Sequence, residues 1–160
     1  MVTLDQILKI IWISMLPIGE LRVSIPLAVA TYHFSYGLAF LAGVFGNLLF
    51  ILPLSWLLDL VILKWVEKRW LGYQLLNSIL TRAKTKVQDA YSKWAKWGLA
   101  IFVGIPLPFT GAWTGTLGAR LLGFSHKDTF IYTGIGVVLA GIIVTFATFL
   151  ITKGIHLFFI

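Results

Sequence analysis

The chain has 160 residues and a formal net charge of +7; 59% of its residues are hydrophobic and only 12% are charged. Soluble domains carry about twice that share of charged residues, so the composition excludes an ordinary soluble protein and indicates a membrane protein with several hydrophobic segments. Cysteine is absent, which excludes disulfides, thiolate chemistry and cysteine-based metal sites. The start of the chain lacks a basic region and a cleavage site, so we expect insertion through the hydrophobic segments themselves.

The first segment predicts a broken helical hairpin. Residues 4–16 are apolar but would form only about 20 Å of helix, which is too short for a hydrocarbon core of about 30 Å. A shorter apolar limb, 24–32, contains Pro26. Between the two limbs lie helix breakers and two opposite charges: Pro17, Gly19, Glu20 and Arg22. We expect a re-entrant hairpin that returns to the side from which it enters, with one helix kinked at Pro17 as the alternative.

Two longer apolar segments, 37–63 and 129–152, predict membrane-spanning helices. The main polar residues of the first are Asn47 and Asp59. Asp59 lies within about one turn of Lys64, so we expect its side chain to reach the membrane surface. Both segments carry small residues at helical spacings, which permit close helix packing and make a homodimer plausible.

Residues 64–97 predict an amphipathic connector on the membrane surface. The segment holds eight basic and two acidic residues, and lysine and arginine accumulate in cytoplasmic loops. It also holds four tryptophans, which favour the membrane interface. We expect the connector to lie on the cytoplasmic side, where it meets anionic lipid headgroups rather than nucleic acid. Its expected role is topology and anchoring, and a gating role is the alternative.

Residues 98–123 predict a second broken hairpin. Prolines, glycines and a threonine interrupt it at residues that permit tight turns and close backbone approach: Pro106, Pro108, Thr110, Gly111 and Gly115. The return limb, 113–122, carries Arg120. Because both limbs are short, we expect this segment too to enter the membrane and turn back.

The two halves share the order of broken hairpin and spanning helix. Four residues recur 90 positions apart: Phe34, Ser35, Phe40 and Gly46 match Phe124, Ser125, Phe130 and Gly136. One span ends at the connector and the other begins after it, so the halves would have opposite orientations. We expect a single all-α integral membrane domain, with repeat 1 over 1–63, the connector over 64–97 and repeat 2 over 98–160. Such inverted repeats form substrate sites between discontinuous helices at the middle of the membrane.

The candidate substrate-binding or coupling residues are polar side chains of the two hairpins and the first span: Glu20, Arg22, Asn47, Thr110 and Arg120. Ionisable groups inside a membrane are costly and are candidates for function. Two arginines against one carboxylate leave a positive centre that suits an anionic headgroup. A purely structural pairing of Glu20 with either arginine is the alternative. We expect no metal, no cofactor and no enzyme activity, because the sequence shows neither a ligand cluster nor a catalytic set.

The two breaks resemble the motifs of a known family. Residues 19–26, GELRVSIP, and 106–115, PLPFTGAWTG, are similar to those of the putative small multidrug export family of prokaryotic membrane proteins. The residues that match are Glu20, Arg22, Pro26, Pro106, Pro108, Thr110, Gly111, Trp113 and Gly115. The resemblance extends over nearly the whole chain and implies transport across the cytoplasmic (inner) membrane. The family is similar in turn to the DedA/VTT superfamily, whose paired re-entrant hairpins and lipid carriers imply that Arg120 corresponds to an arginine of the second hairpin.

These observations favour a transporter or lipid translocase for an amphiphilic, anionic substrate such as a lipid phosphate. Two alternatives stay open at this point. One is export of cationic drugs coupled to protonation of Glu20. The other is a membrane scaffold that recruits a partner through the basic connector. Membrane lipids and an amphiphilic small molecule are the expected partners.

Overall fold

The computed structural model describes residues 2–17, 19–68, 90–107 and 110–158. Every regular element in these ranges is an α-helix: α1 (Leu4–Met15), α2 (Glu20–Ala30), α3 (Tyr36–Lys68), α4 (Ala90–Gly104), α5 (Ala112–Leu121) and α6 (His126–Phe158). Most of the predicted connector, residues 69–89, lies outside the described residues, and so does Pro108. The expected all-helical class is therefore confirmed for the part of the chain that is described.

The long helices α3 and α6 contain two segments that are long and apolar enough to cross a membrane. These segments are Tyr36–Val61 and His126–Gly154, with mean hydropathies of 2.1 and 2.5. They include most of the predicted spans at 37–63 and 129–152, so two candidate spans are confirmed. The two helices themselves continue to Lys68 and Phe158.

The two long helices pack side by side in opposite directions. Near the start of α3, the hydroxyl of Tyr36 lies 2.8 Å from Oγ1 of Thr152, near the end of α6. Farther along α3, Oγ of Ser55 lies 2.9 Å from Nδ1 of His126, which begins α6. The start of each long helix therefore lies beside a later part of the other.

The short helices before α3 form a pair joined by a first break at residues 16–19. Proline disfavours helical backbone at the preceding residue, and Leu16 before Pro17 is accordingly extended, with φ −77° and ψ 145°. The helix α2 begins at Glu20, earlier than the predicted limb at 24, so the charged residues expected inside the break belong to its first turn. It continues through Pro26, which has no N–H to donate to the carbonyl of Arg22.

The short helices before α6 form a second pair, joined by a second break at residues 105–111. The middle of α4 lies beside the start of α6, because Nζ of Lys96 pairs with the carboxylate of Asp128 at 3.0 Å. The end of α5 also lies there, because the guanidinium of Arg120 donates to the carbonyl of Phe124, just before α6. Both helices of this pair therefore contact residues near the start of α6.

The turns that lead into α3 and α6 have matching conformations 90 residues apart. His33 and Gly123 both adopt positive φ, 53° and 78°. The next residue of each turn donates its amide to the end of the preceding helix, Phe34 to Ala28 at 3.0 Å and Phe124 to Ala119 at 2.9 Å. A serine then caps each long helix: Oγ of Ser35 accepts from the amide of Leu38 at 3.3 Å, and Oγ of Ser125 accepts from that of Asp128 at 3.0 Å.

Glycines on the long helices let the short helices approach closely. A Cβ at Gly46 of α3 would lie 2.5 Å from the carbonyl oxygen of Ile11 in α1, and one at Gly136 of α6 would lie 2.6 Å from that of Ala100 in α4. By contrast, a Cβ at Gly118 would meet no atom within 4 Å. The two matching glycines thus set how closely α1 and α4 pack on the long helices.

We expect Gly136→Ala to lower the free energy of unfolding by about 1–3 kcal/mol, because an added methyl group must displace backbone atoms in a packed interface. The matched control is Gly118→Ala, which should leave stability unchanged or raise it by up to about 1 kcal/mol through helix propensity. Unfolding by sodium dodecyl sulfate in mixed micelles, followed by circular dichroism, measures both. Equal effects of the two substitutions would contradict the close packing of α4 on α6.

Candidate functional site

The two breaks meet where Glu20 of α2 faces the first turn of α5. The carboxylate oxygen Oε1 of Glu20 accepts a hydrogen bond from the backbone amide of Trp113 at 3.3 Å. The N-cap residue of α5 is Gly111, which has no side chain to accept such a bond. Glu20 therefore supplies the capping acceptor from another helix, and its negative charge lies at the positive end of the α5 dipole.

Gly111 permits this contact because it lacks a Cβ. A methyl group at this position would collide with the Glu20 carboxylate. Glu20 itself adopts a φ of 36°, in a region that non-glycine residues seldom occupy. Such strained backbone conformations persist only where surrounding contacts hold them, and they cluster at functional sites.

Trp113 makes the reciprocal link from the second break to the first. Its indole Nε1 donates to the carbonyl of Met15, the last residue of α1, at 3.0 Å. The ring also packs against Phe50 of α3, with ring centroids 4.7 Å apart. A backbone group at a helix end has no partner within its own helix, and in a soluble protein water would bond to it. Here Glu20 bonds to the amide at the start of α5, and Trp113 bonds to the carbonyl at the end of α1.

Arg22 provides the third link between the breaks. Its Nη2 donates to Oγ1 of Thr110 at 2.9 Å, and the same oxygen accepts from the amide of Leu107 at 3.1 Å. The Thr110 hydroxyl also lies 2.6 Å from the carbonyl of Ile105, to which it can donate. Among the described residues, no carboxylate lies within ion-pairing distance of the Arg22 guanidinium.

Asn47 contributes a buried polar group from α3. Its side chain is only 3% exposed, and its Nδ2 donates to Oγ of Ser14 at 2.6 Å. Ser14 donates in turn to the carbonyl of Gly43 at 2.6 Å. This chain of hydrogen bonds fixes the end of α1 on the middle of α3.

These groups surround a narrow cleft between the breaks. The lining combines three polar side chains with small and apolar ones: Glu20, Leu21, Arg22, Asn47, Val103, Gly111, Ala112, Val137 and Ala140. Its volume of about 10 Å³ is close to that of a single water molecule. Asn47 lies near the middle of the Tyr36–Val61 segment, and Val137 and Ala140 lie near the middle of His126–Gly154. The cleft is therefore too narrow for more than about one water molecule, and it lies at the middle of both candidate spans.

Arg120 does not line this cleft, although the sequence favoured a shared centre with Glu20 and Arg22. Its Nε and Nη2 donate to the two carboxylate oxygens of Asp59 at 2.8 Å and 2.7 Å. Nε2 of His126 lies 3.1 Å from the same carboxylate. We call Ser55, Asp59, Arg120 and His126 the charged cluster. Because Arg120 pairs with Asp59, the charged residues that line the cleft are Glu20 and Arg22, whose formal charges cancel. The expected positive centre with two arginines is therefore not formed.

The structure brings four of the five candidate residues to the breaks or the cleft. Glu20, Arg22 and Asn47 line the cleft, and Thr110 bonds to Arg22. Of the other predicted helix breakers, Pro17 and Gly19 lie in the first break and Pro106 lies in the second. Gly115 does not belong to the break: it lies within α5, against Val103 of α4. Sequence reasoning missed the contact of Asp59 with Arg120, because partners 61 residues apart leave no local signal.

A family model described as "putative small multi-drug export protein" matches residues 20–143 of the chain. The chain belongs to this family. The match begins at Glu20, directly after the first break, and includes the second break, the residues that line the cleft and the charged cluster. Neither the comparison with curated proteins nor the comparison with solved structures found a match.

In this chain, we expect Glu20→Ala and Gly111→Ala each to lower the free energy of unfolding by about 1–2 kcal/mol. Both disturb one hydrogen bond to a helix N-terminus. The double variant should lose little more than either single one, because a shortened residue 20 leaves room for the added methyl group. Unfolding in mixed micelles measures this double-mutant cycle. Strictly additive losses would contradict the contact between the two residues.

We also expect Arg120→Ala to destabilise the protein by about 2–4 kcal/mol, because it leaves a partly buried carboxylate without its partner. Arg120 is 14% exposed and Asp59 is 29% exposed. The control is Lys9→Ala, which breaks the largely exposed pair of Lys9 with Asp5 and should cost less than about 1 kcal/mol. The same unfolding measurement decides, and a loss at Arg120 no larger than that at Lys9 would contradict a structural role of the charged cluster.

Proposed function

We propose that this protein is a small exporter that moves an amphiphilic molecule through the membrane at the cleft between the two breaks. The observation that carries the proposal is the set of links across the breaks, from Glu20 to Trp113, from Trp113 to Met15 and from Arg22 to Thr110. Polar groups and interrupted helices at the middle of a membrane are typical of transport sites. Membership of a family named for drug export supports the same class.

In this proposal the chain is an inverted repeat, and each half is a re-entrant hairpin followed by a spanning helix. The matching turns at His33 and Gly123 support the repeat. The opposite directions of α3 and α6 support the inversion. The positive-inside rule would place the end of α3, the start of α6 and the connector on the cytoplasmic side of the cell membrane.

The cleft has room for about one water molecule, so transport requires the two hairpins to separate. Separation breaks the links between the breaks and exposes Glu20 and Arg22 to the substrate. Because the same backbone groups need partners inside the membrane, a polar part of the substrate or water must replace the lost hydrogen bonds. The closed arrangement is therefore one state of a cycle.

Arg22 favours an amphiphile with an anionic headgroup. Within the described residues, its guanidinium makes one hydrogen bond, to Thr110, and has no carboxylate partner. A guanidinium offers five N–H donors in a planar fork that matches phosphate or carboxylate. A lipid phosphate is one source of such a headgroup, and the anionic class is what the geometry supports.

Proton-coupled export of a cationic drug is the second candidate, and Glu20 favours it. Its carboxylate holds the start of α5 through a single amide bond. A charge-assisted hydrogen bond weakens when the acceptor loses its charge, so protonation of Glu20 or a competing cation would loosen the second hairpin. A scaffold that acts through the basic connector is a third expectation, which depends on residues 69–89 outside the described ranges.

We expect purified protein in proteoliposomes to move a fluorescent single-chain phosphate amphiphile, and Arg22→Gln to slow this movement by about tenfold or more. A tenfold lower rate is what we expect when the headgroup loses one charged hydrogen-bonding partner. Lys9→Gln removes the same charge far from the cleft and is the matched control. Each variant is first shown to be folded by its elution from a sizing column.

The outcomes separate the candidates. Movement of the anionic probe that survives Arg22→Gln would contradict the anionic site. Transport of a cationic dye that needs a pH gradient and is lost in Glu20→Gln would favour the second candidate. No movement of either probe by folded wild type would overturn the proposed export function.

A further inference from the structure

The two ends of the α3–α6 pair differ, although equivalent positions occupy them. One end holds the charged cluster. The positions that match it 90 residues apart are all uncharged: Thr145 for Ser55, Phe149 for Asp59, Ala30 for Arg120 and Tyr36 for His126. Three of these four uncharged residues line an open groove between α3 and α6. Equivalent positions of the two halves thus hold an ion pair at one end of the α3–α6 pair and line an open groove at the other end.

The groove has the size and chemistry of a binding site for an apolar group. Its volume is about 380 Å³, within the range of about 300–1,000 Å³ found for small-molecule sites. Its walls are formed by four aromatic rings with an isoleucine, a threonine and a glycine: Tyr36, Gly37, Phe40, Ile142, Thr145, Phe146 and Phe149. The groove lies entirely within the two candidate spans, so it opens towards lipid tails rather than water.

A missing side chain and a fixed aromatic wall create the groove. A Cβ at Gly37 would meet no atom within 4 Å, whereas the matching position in the other half is Lys127. The ring of Tyr36 stands edge-on to that of Phe149, with centroids 5.4 Å apart, and its hydroxyl is held by Thr152 at 2.8 Å. Because the tyrosine is held in this way, its ring does not fill the space.

In the part of the chain that the structure describes, Thr145, in the wall of the groove, lacks a hydrogen bond that its counterpart makes. Its hydroxyl is buried and has no hydrogen-bond partner among the described residues. At the other end, the matching hydroxyl of Ser55 bonds to His126 at 2.9 Å. Buried polar groups usually have partners, so the helices around the groove lack a contact that their counterparts make.

We propose that this groove binds the alkyl tail of a single-chain amphiphile from the surrounding membrane. The proposal rests on the proposed function for the class of molecule, since an exporter of amphiphiles must receive or release an apolar tail. A tail fits because the walls are apolar, the volume is that of a ligand, and the opening lies at the depth of the lipid chains. The face of α6 that carries exposed Ile142 differs from the one that carries buried Ala140 of the cleft, so this is a second site.

A photoactivatable probe tests the proposal directly. The probe is a single-chain phosphate amphiphile with a diazirine near the end of its alkyl tail, added to purified protein in lipid nanodiscs. We expect labelling to concentrate on residues 36–40 and 142–149, and to saturate when the probe without diazirine competes. Mass spectrometry of the labelled peptides gives the distribution.

Gly37→Phe should fill the groove and reduce this labelling by about tenfold or more, which corresponds to losing the burial of about two methylene groups. Gly118→Phe is the matched control, because a side chain there also meets open space but lines no groove. Phe146→Ala provides a second variant that removes a wall from an exposed position, with exposed Phe102→Ala as its control.

Labelling that does not saturate and is equal on the similar groove lined by Phe130, Ile135 and Leu139 would overturn the proposal, because the probe would then behave as bulk lipid. Cross-linking of two protein chains through Phe146 would also overturn it in favour of a second copy. Failure of transport with intact, saturable labelling would remove the proposed export function and leave the tail site in place. Intact transport with no specific labelling would remove the tail site and leave the proposed export function in place.

Discussion

The hydrogen bonds between the two breaks are the constraint on which the rest of the structure depends. A helix that stops inside a membrane leaves amide and carbonyl groups that no water can satisfy. Here the carboxylate of Glu20 receives an amide at the start of α5, and the indole of Trp113 serves a carbonyl at the end of α1. Each pair of short helices therefore supplies a hydrogen-bonding partner that the other pair lacks.

In the described part of the chain, four short helices and two long ones surround the narrow cleft, and glycines at the contacts let backbone pack against backbone. The links hold the hairpins together, yet each is a single hydrogen bond that a polar ligand can replace. The charged cluster at one end and the apolar groove at the other give the two halves different chemistry on the same framework.

Much of the fold could be predicted from the sequence because membrane burial leaves strong local signals. Long apolar runs gave the two candidate spans, and Pro17, Pro106 and the neighbouring glycines indicated the breaks. The start of α2 was not predicted, because Glu20 and Arg22 look like loop residues until the first turn of the helix is seen to contain them. The partner of Arg120 was also missed, since Asp59 lies on another helix and appeared to belong to the membrane surface. Local patterns show where a chain is interrupted, but only packing shows which interruptions meet.

The central claim, that the links across the breaks hold the cleft closed, is most directly tested by a distance between the hairpins. The chain has no cysteine, so two cysteines can be introduced for spin labelling in the same chain. One replaces exposed Val23 of α2 and the other replaces exposed Leu117 of α5. Pulsed electron paramagnetic resonance in nanodiscs then gives the distribution of label separations. The account predicts one short distance in the otherwise unchanged protein and an added, longer population when Glu20→Gln weakens the link to α5. An unchanged, single distance in folded Glu20→Gln protein would contradict it.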